Sequence, residues 1–126
     1  MMNDIKNRED IKLLVTTFYS KVRESKEIGH FFNDTITNWD EHLEKLTDFW
    51  ESSLFFKAKF KGNPADAHVK LDQKYHKGIQ MEHFGAWINL WFETIDSLFE
   101  GENANRAKHN ARKMASHLYL SIFERR

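Results

Sequence analysis

A chain of 126 residues, 40% apolar and 14% aromatic, is expected to form one domain over 1–126 that buries roughly 60–70% of the surface its unfolded form exposes. Nineteen basic side chains balance nineteen acidic ones, which leaves no overall field to draw the protein onto nucleic acid or an anionic membrane. The absence of cysteine excludes disulfides, thiol catalysis, thiolate metal sites and cysteine-ligated iron–sulfur clusters, so metal chemistry falls to histidine and carboxylate. The first ten residues, MMNDIKNRED, carry no apolar stretch after their charges, and no window approaches the ~20 apolar residues of a membrane span. The expectation is a soluble, cytoplasmic protein.

One proline and five glycines fall where helices should begin or end, which predicts an all-α fold. A first helix is expected over 8–26, with Asn7 as cap and Ile11, Leu14, Val15, Phe18 and Val22 at helical spacing. Gly29 and HFFND suggest a tight turn with short helical pieces that carry Phe31 and Phe32 inward. The next helix opens near Thr37 or Asn38, ends near Phe56, and places Trp39, Leu43, Leu46, Trp50 and Leu54 along one stripe. After the lysine-rich FKAKFKG, Asn63 as cap and Pro64 at the first helical position start a short helix bearing His68, Leu71 and Tyr75. The clearest pattern follows, with Phe84, Trp87, Ile88, Trp91, Ile95 and Leu98 on one face of a core helix closed by Gly101. The last helix, over 103–123, turns Ala104, Ala107, Ala111, Met114, Ala115, Leu118 and Ile122 inward. No repeat, low-complexity segment or linker interrupts the series.

Seven histidines are the chemical resource. His109 belongs to the basic run RAKHNARK and reads as a solvated face, and His117 as surface or boundary. His30 pairs with Glu27 in a single Glu-x-x-His, whereas a di-iron bundle needs a second such pair, which this sequence lacks. His76 falls in a polar loop, and His83 starts the fourth helix, where a capping role suffices. His42 lies beside Leu46, Phe49 and Ser53 at the edge of an apolar stripe, as a boundary histidine or as part of a site. His68 sits on a helix with little apolar area of its own. Either an imidazole–metal bond anchors that helix, or it is a small amphipathic helix packed under a loop. Tyr19 and Trp87 bring an O–H and an N–H to the core, as donors in a pocket or as plain aromatic packing.

Four blocks taken together resemble the group III truncated haemoglobins across nearly the whole chain: FYSKVRESKEIGHFFND, EHLEKLTDFWESSL, KGNPADAHVKL, and HFGAWINLWFETIDSLFEG with the alanine-rich helix after it. The glycine-pair motifs of other truncated-haemoglobin groups are absent, as the resemblance to this group implies. It implies a shortened globin in which two antiparallel helix pairs form a two-over-two sandwich around haem b. His68 would be the proximal iron ligand, with His76 as the alternative, and Phe32, Leu46, Trp50 and Leu71 would line or pack the cofactor. Tyr19 and Trp87 would donate hydrogen bonds on the distal side, and His42 would contact the ligand or gate its access. No residue is assigned a catalytic role. The implied activity is reversible binding of O2, NO or CO by a monomer. Two donors argue for oxygen or nitric oxide redox chemistry rather than bulk transport. The alternatives are a peroxidase-like or dioxygenase enzyme working with a reductase, and a haem-free helical interaction module.

Overall fold

The computed structural model describes residues 2–56 and 79–124. Five helices and no strand occur among them. Helix α1 (Arg8–Glu24) starts at Asn7, whose side chain accepts from the Asp10 N–H at 3.0 Å, and carries Glu9 and Asp10 in its first turn and Lys21 and Arg23 in its last. Those charges complement the partial charges of the helix ends. The helix stops two residues before the predicted boundary, because Ser25 turns to an extended conformation and its Oγ accepts from the Glu27 and Ile28 N–H groups. Helix α2 (Gly29–Asn33) presses directly against that end of α1. A Cβ on Gly29 would lie 2.8 Å from the Arg23 carbonyl oxygen, so a residue without one is required for the close approach.

Helix α3 (Trp39–Phe55) is capped by Asn38, which accepts from the Glu41 N–H at 3.2 Å. Helix α4 (Met81–Leu98) opens with the Gln80 N–H donating to His83 Nδ1 at 2.8 Å, the capping role expected for that histidine. Helix α5 (Glu102–Glu124) completes the order. His30, His109 and His117 are exposed. The predicted helix at Asn63 and Pro64, together with His68, Leu71, Tyr75 and His76, lies outside the described residues.

Packing is pairwise. α1 lies on α3 and α4 on α5, while α1 against α4 and α3 against α5 join the two pairs, with α2 on α1. The predicted stripes are the ones that meet: Ile11, Leu14, Val15, Phe18 and Val22 from α1, Trp50 and Leu54 from α3, Trp91 and Ile95 from α4, and Ala104, Ala107 and Ala111 from α5 are all buried. Arg8 adds a polar tie between α1 and α3, donating to Glu44, Asp48 and the nearly fully buried Glu51.

Gly101 does not close α4, which ends at Leu98 with Phe99 as its cap. It stands before α5 with φ of 145°, and an added Cβ would meet the Asp4 side chain at 2.5 Å. Asp4 is the reason: its carboxylate accepts from the Asn103 and Ala104 N–H groups, both at 2.9 Å, and so caps the last helix from the start of the chain. Burial opposes the Asp4 charge, but the backbone donors of Asn103, Ala104 and Ile5, with Arg106 nearby, outweigh it and hold the carboxyl below its usual range. Stability from this cap is therefore present above the ordinary carboxylate range and lost as pH falls through the lowered value. Asp4→Ala should cost about 1–2 kcal/mol at neutral pH, and that cost should shrink in acid, as read from denaturant midpoints measured across pH.

Candidate functional site

The polar groups of interest come from three helices. Tyr19 sits one residue after the buried Phe18 on α1 and is itself 5% exposed. Its ring stands edge-on to Phe18 at 4.8 Å, to Phe32 at 5.6 Å and to His42 at 6.0 Å. The Trp87 indole N–H on α4 hydrogen-bonds to the Tyr19 hydroxyl. Burial pushes the phenol up to about 12, and the Trp87 bond pulls only weakly the other way. Tyr19 is thus neutral through the whole physiological range. With its oxygen engaged by Trp87, its own O–H remains a donor.

His42, half-buried on α3, meets Tyr19 on one ring edge and Trp39 at 5.6 Å and 87°. Phe32 and Leu46 are partly buried and pack on the core, Phe32 against the Tyr19 ring. Trp50 lies deeper, 2% exposed and stacked on Trp91 at 4.6 Å; Trp91 in turn lies parallel to Trp87 at 6.0 Å. Of the residues singled out in the sequence, Tyr19, His42 and Phe32 share direct ring contacts, Trp87 joins them through its hydrogen bond, and Trp50 supports Trp87 through Trp91. His68 and Leu71 lie outside the described residues.

Sequence reasoning missed Trp39 as anything beyond a stripe residue. It abuts Tyr19 at 6.1 Å as well as His42, and the Arg23 guanidinium lies 4.4 Å over its ring. The available signals were the i, i+3 spacing of Trp39 and His42 and the i, i+4 spacing of Tyr19 and Arg23, which put each pair on one helix face.

No model of a protein family matches the chain. The group 3 truncated haemoglobin ctb of Campylobacter jejuni is 30% identical to it over 122 residues, covering 94% of this chain and 92% of that protein. The crystal structure of the group III truncated haemoglobin from Campylobacter jejuni superposes with a TM-score of 0.85 at 30% identity, over 97% of this chain and 95% of that one. The chain belongs to the group III truncated haemoglobins. Its helix pairs are those of a truncated globin, and it is a haem-binding globin.

The residues present fit that cofactor. Among the described residues no group of three or more His, Cys, Asp or Glu side chains could hold a metal ion, so the cluster at Tyr19 is not a chelating set. It offers a neutral hydroxyl and an imidazole beside aromatic and aliphatic surface, which suits an apolar macrocycle carrying a small polar ligand. No helix among the described residues is long and apolar enough to cross a membrane.

The buried phenol yields a test that needs no ligand. The unfolded chain loses this proton near pH 10 and the folded one near 12, so stability is intact below the lower value and falls as pH rises through the upper one, by about 1.4 kcal/mol per pH unit between them. Tyr19→Phe should remove this phase from an alkaline unfolding series and leave its neutral-pH baseline flat.

Proposed function

We propose that this truncated haemoglobin binds haem b through His68 and holds oxygen or nitric oxide against Tyr19 for redox chemistry rather than bulk transport. The observation that carries the reading is the buried Tyr19 side chain, edge-on to Phe32 at 5.6 Å and to His42 at 6.0 Å. When bound, haem supplies an iron with one open position for a diatomic molecule.

The chain's own residues do the rest. Trp87 fixes the Tyr19 oxygen, which orients the single remaining O–H and makes the two side chains act in series rather than as two independent donors. Burial keeps the phenol protonated, so the donor is permanent. Phe32 and Leu46 keep water from competing for it. His42, edge-on to Tyr19, borders the ligand and guards its access. His68 falls in KGNPADAHVKL, the block whose likeness to the family's proximal segment supports its assignment, and Leu71 in the same block is the cofactor contact that the likeness implies. A hydrogen bond to a partly charged acceptor contributes about 1.5–3 kcal/mol, so losing one should speed escape roughly ten- to hundredfold. Slow release makes a poor carrier. We infer a monomeric, cytoplasmic protein that takes O2, NO or CO and whose turnover draws electrons from a separate reductase.

Absorption spectra of the oxidised, reduced and carbon monoxide forms test the cofactor. His68→Gly should strip or weaken haem binding, added imidazole should restore the native spectrum, and His76→Gly should do neither. Reversed behaviour would move the ligand to His76. Stopped-flow rates test the donor: Tyr19→Phe should speed oxygen release roughly ten- to hundredfold while changing carbon monoxide release little, because carbon monoxide is a poor acceptor. Trp87→Phe should have a smaller effect, and the double variant should match Tyr19→Phe, since Trp87 acts through Tyr19. Unchanged oxygen release in Tyr19→Phe sinks the donor role.

A further inference from the structure

Two aromatic paths meet at Tyr19. Inward, its ring stands edge-on to Phe18 at 4.8 Å, and Phe18 stands edge-on to Trp87 at 5.4 Å and to Trp91 at 4.8 Å, with Trp50 stacked beyond at 4.6 Å. Outward, it abuts Trp39 at 6.1 Å. All four tryptophans of the chain therefore lie on one run of neighbouring rings with Tyr19 between them. In a chain without cysteine, tyrosine and tryptophan are the side chains that most readily give up one electron, and tunnelling decays so steeply with distance that neighbouring rings exchange electrons fastest. The two ends of the run differ. Trp50 and Trp91 are buried, and the Trp91 N–H is held by the Ala107 carbonyl at 3.1 Å, so an indole oxidised there would keep its proton and stand as an unpaired buried cation. Trp39 is only half-buried, at the first position of α3, and it walls a cleft of about 750 Å³ between α1, the turn after α2 and the start of α3.

We propose that Tyr19 and Trp39 form an outlet for oxidising equivalents from the ligand pocket to this cleft, where a small uncharged phenol or hydroquinone supplies the electrons. The inference rests on the reading of Tyr19 as the donor that faces the ligand. Hydrogen peroxide is the oxidant, and it needs two electrons and two protons to leave the pocket as two waters. Tyr19 gives one of each through its O–H. The tyrosyl radical left behind takes an electron from Trp39 and a proton from water. Trp39 releases its N–H proton to water and is restored by an electron and a proton from the phenol. Two such passages turn one peroxide and two phenols into two waters and two phenoxyl radicals.

Arg23 makes Trp39 a transit point. Its guanidinium lies 4.4 Å over the indole and is held there by Asn33, whose Oδ1 accepts from Arg23 Nε at 3.2 Å. A neutral indole attracts a cation to its face, whereas one that has lost an electron and kept its proton repels it. Charge therefore does not rest on Trp39: the ring sheds its proton and is refilled once a donor is present. The cleft suits that donor. Ile36, Trp39 and Leu43 offer apolar surface for an aromatic ring, and the hydroxyls of Thr16, Ser20 and Thr37 stand among the same walls as partners for a phenolic O–H. A charged reductant is disfavoured, because Arg23 is already engaged and Glu24 lies beside it.

Electron paramagnetic resonance reads the outlet in the oxidised, haem-loaded protein, mixed with an equal amount of hydrogen peroxide and frozen at once, with deuterated tryptophan marking which ring carries the radical. A tryptophan signal should form, and Trp39→Phe should remove it, leave the radical on Tyr19 and slow oxidation of guaiacol, the phenol used as probe, several-fold. Arg23→Gln, at an exposed position, should lengthen the life of the tryptophan signal, which a packing role for Arg23 does not predict. In the carbon monoxide form, guaiacol should shift the indole N–H resonance of Trp39, identified by its loss in Trp39→Phe, and Ser20→Trp should abolish that shift. No tryptophan signal, or one that survives Trp39→Phe, overturns the outlet. Native guaiacol oxidation in Trp39→Phe, or an unmoved resonance, overturns the donor site. Failure of the underlying reading looks different, since it shows as unchanged oxygen release in Tyr19→Phe whatever guaiacol does.

Discussion

The four long helices converge on the Trp91 side chain. Its ring is edge-on to Phe18 of α1 at 4.8 Å, stacked on Trp50 of α3 at 4.6 Å and parallel to Trp87 one turn back on α4 at 6.0 Å, while its N–H reaches the Ala107 carbonyl of α5. Aromatic rings gain from specific edge and offset geometries, and a buried indole N–H demands a partner, so each of these contacts restricts the others. The alanines of α5 matter for the same reason. Small side chains at Ala104, Ala107 and Ala111 bring that backbone close enough for its carbonyl to meet the indole.

The site depends on that anchor at one remove. Trp87 can offer its N–H to Tyr19 because its ring lies against Trp91 and Phe18, and Phe18 is the neighbour of Tyr19 on α1. A polar pair thus stands at the margin of an aromatic core and is oriented by it. No buried side-chain nitrogen or oxygen among the described residues lacks a partner, so the polarity left for a ligand is the unused capacity of groups already bonded.

Much of this was legible in the sequence. Caps at Asn7 and Asn38 and the apolar spacing on α1, α3 and α4 set the helices to within a residue or two, because those signals are local. Tyr19, His42 and Trp87 could each be singled out by type and wheel position, and the resemblance gathered them into a group. What local reading could not supply was mutual geometry. The bond between Tyr19 and Trp87 exists only once α1 packs on α4, and Trp39 looks like any stripe residue until Arg23 from another helix is laid over it. Gly101 was misread for a related cause: its neighbour is Asp4, 99 positions before the Asn103 that shares its carboxylate.

That last contact has a kinetic side. Asp4 is synthesised 99 and 100 residues before the two N–H groups it caps, so the clasp closes only after the helices between them have been made. Closing so large a loop is costly in entropy and slow to be rewarded, which makes docking of the segment around Asp4 onto α5 a late step in assembly. Until then Ile5, fully buried in the finished molecule, stays exposed, an apolar side chain that must remain unclaimed by other chains.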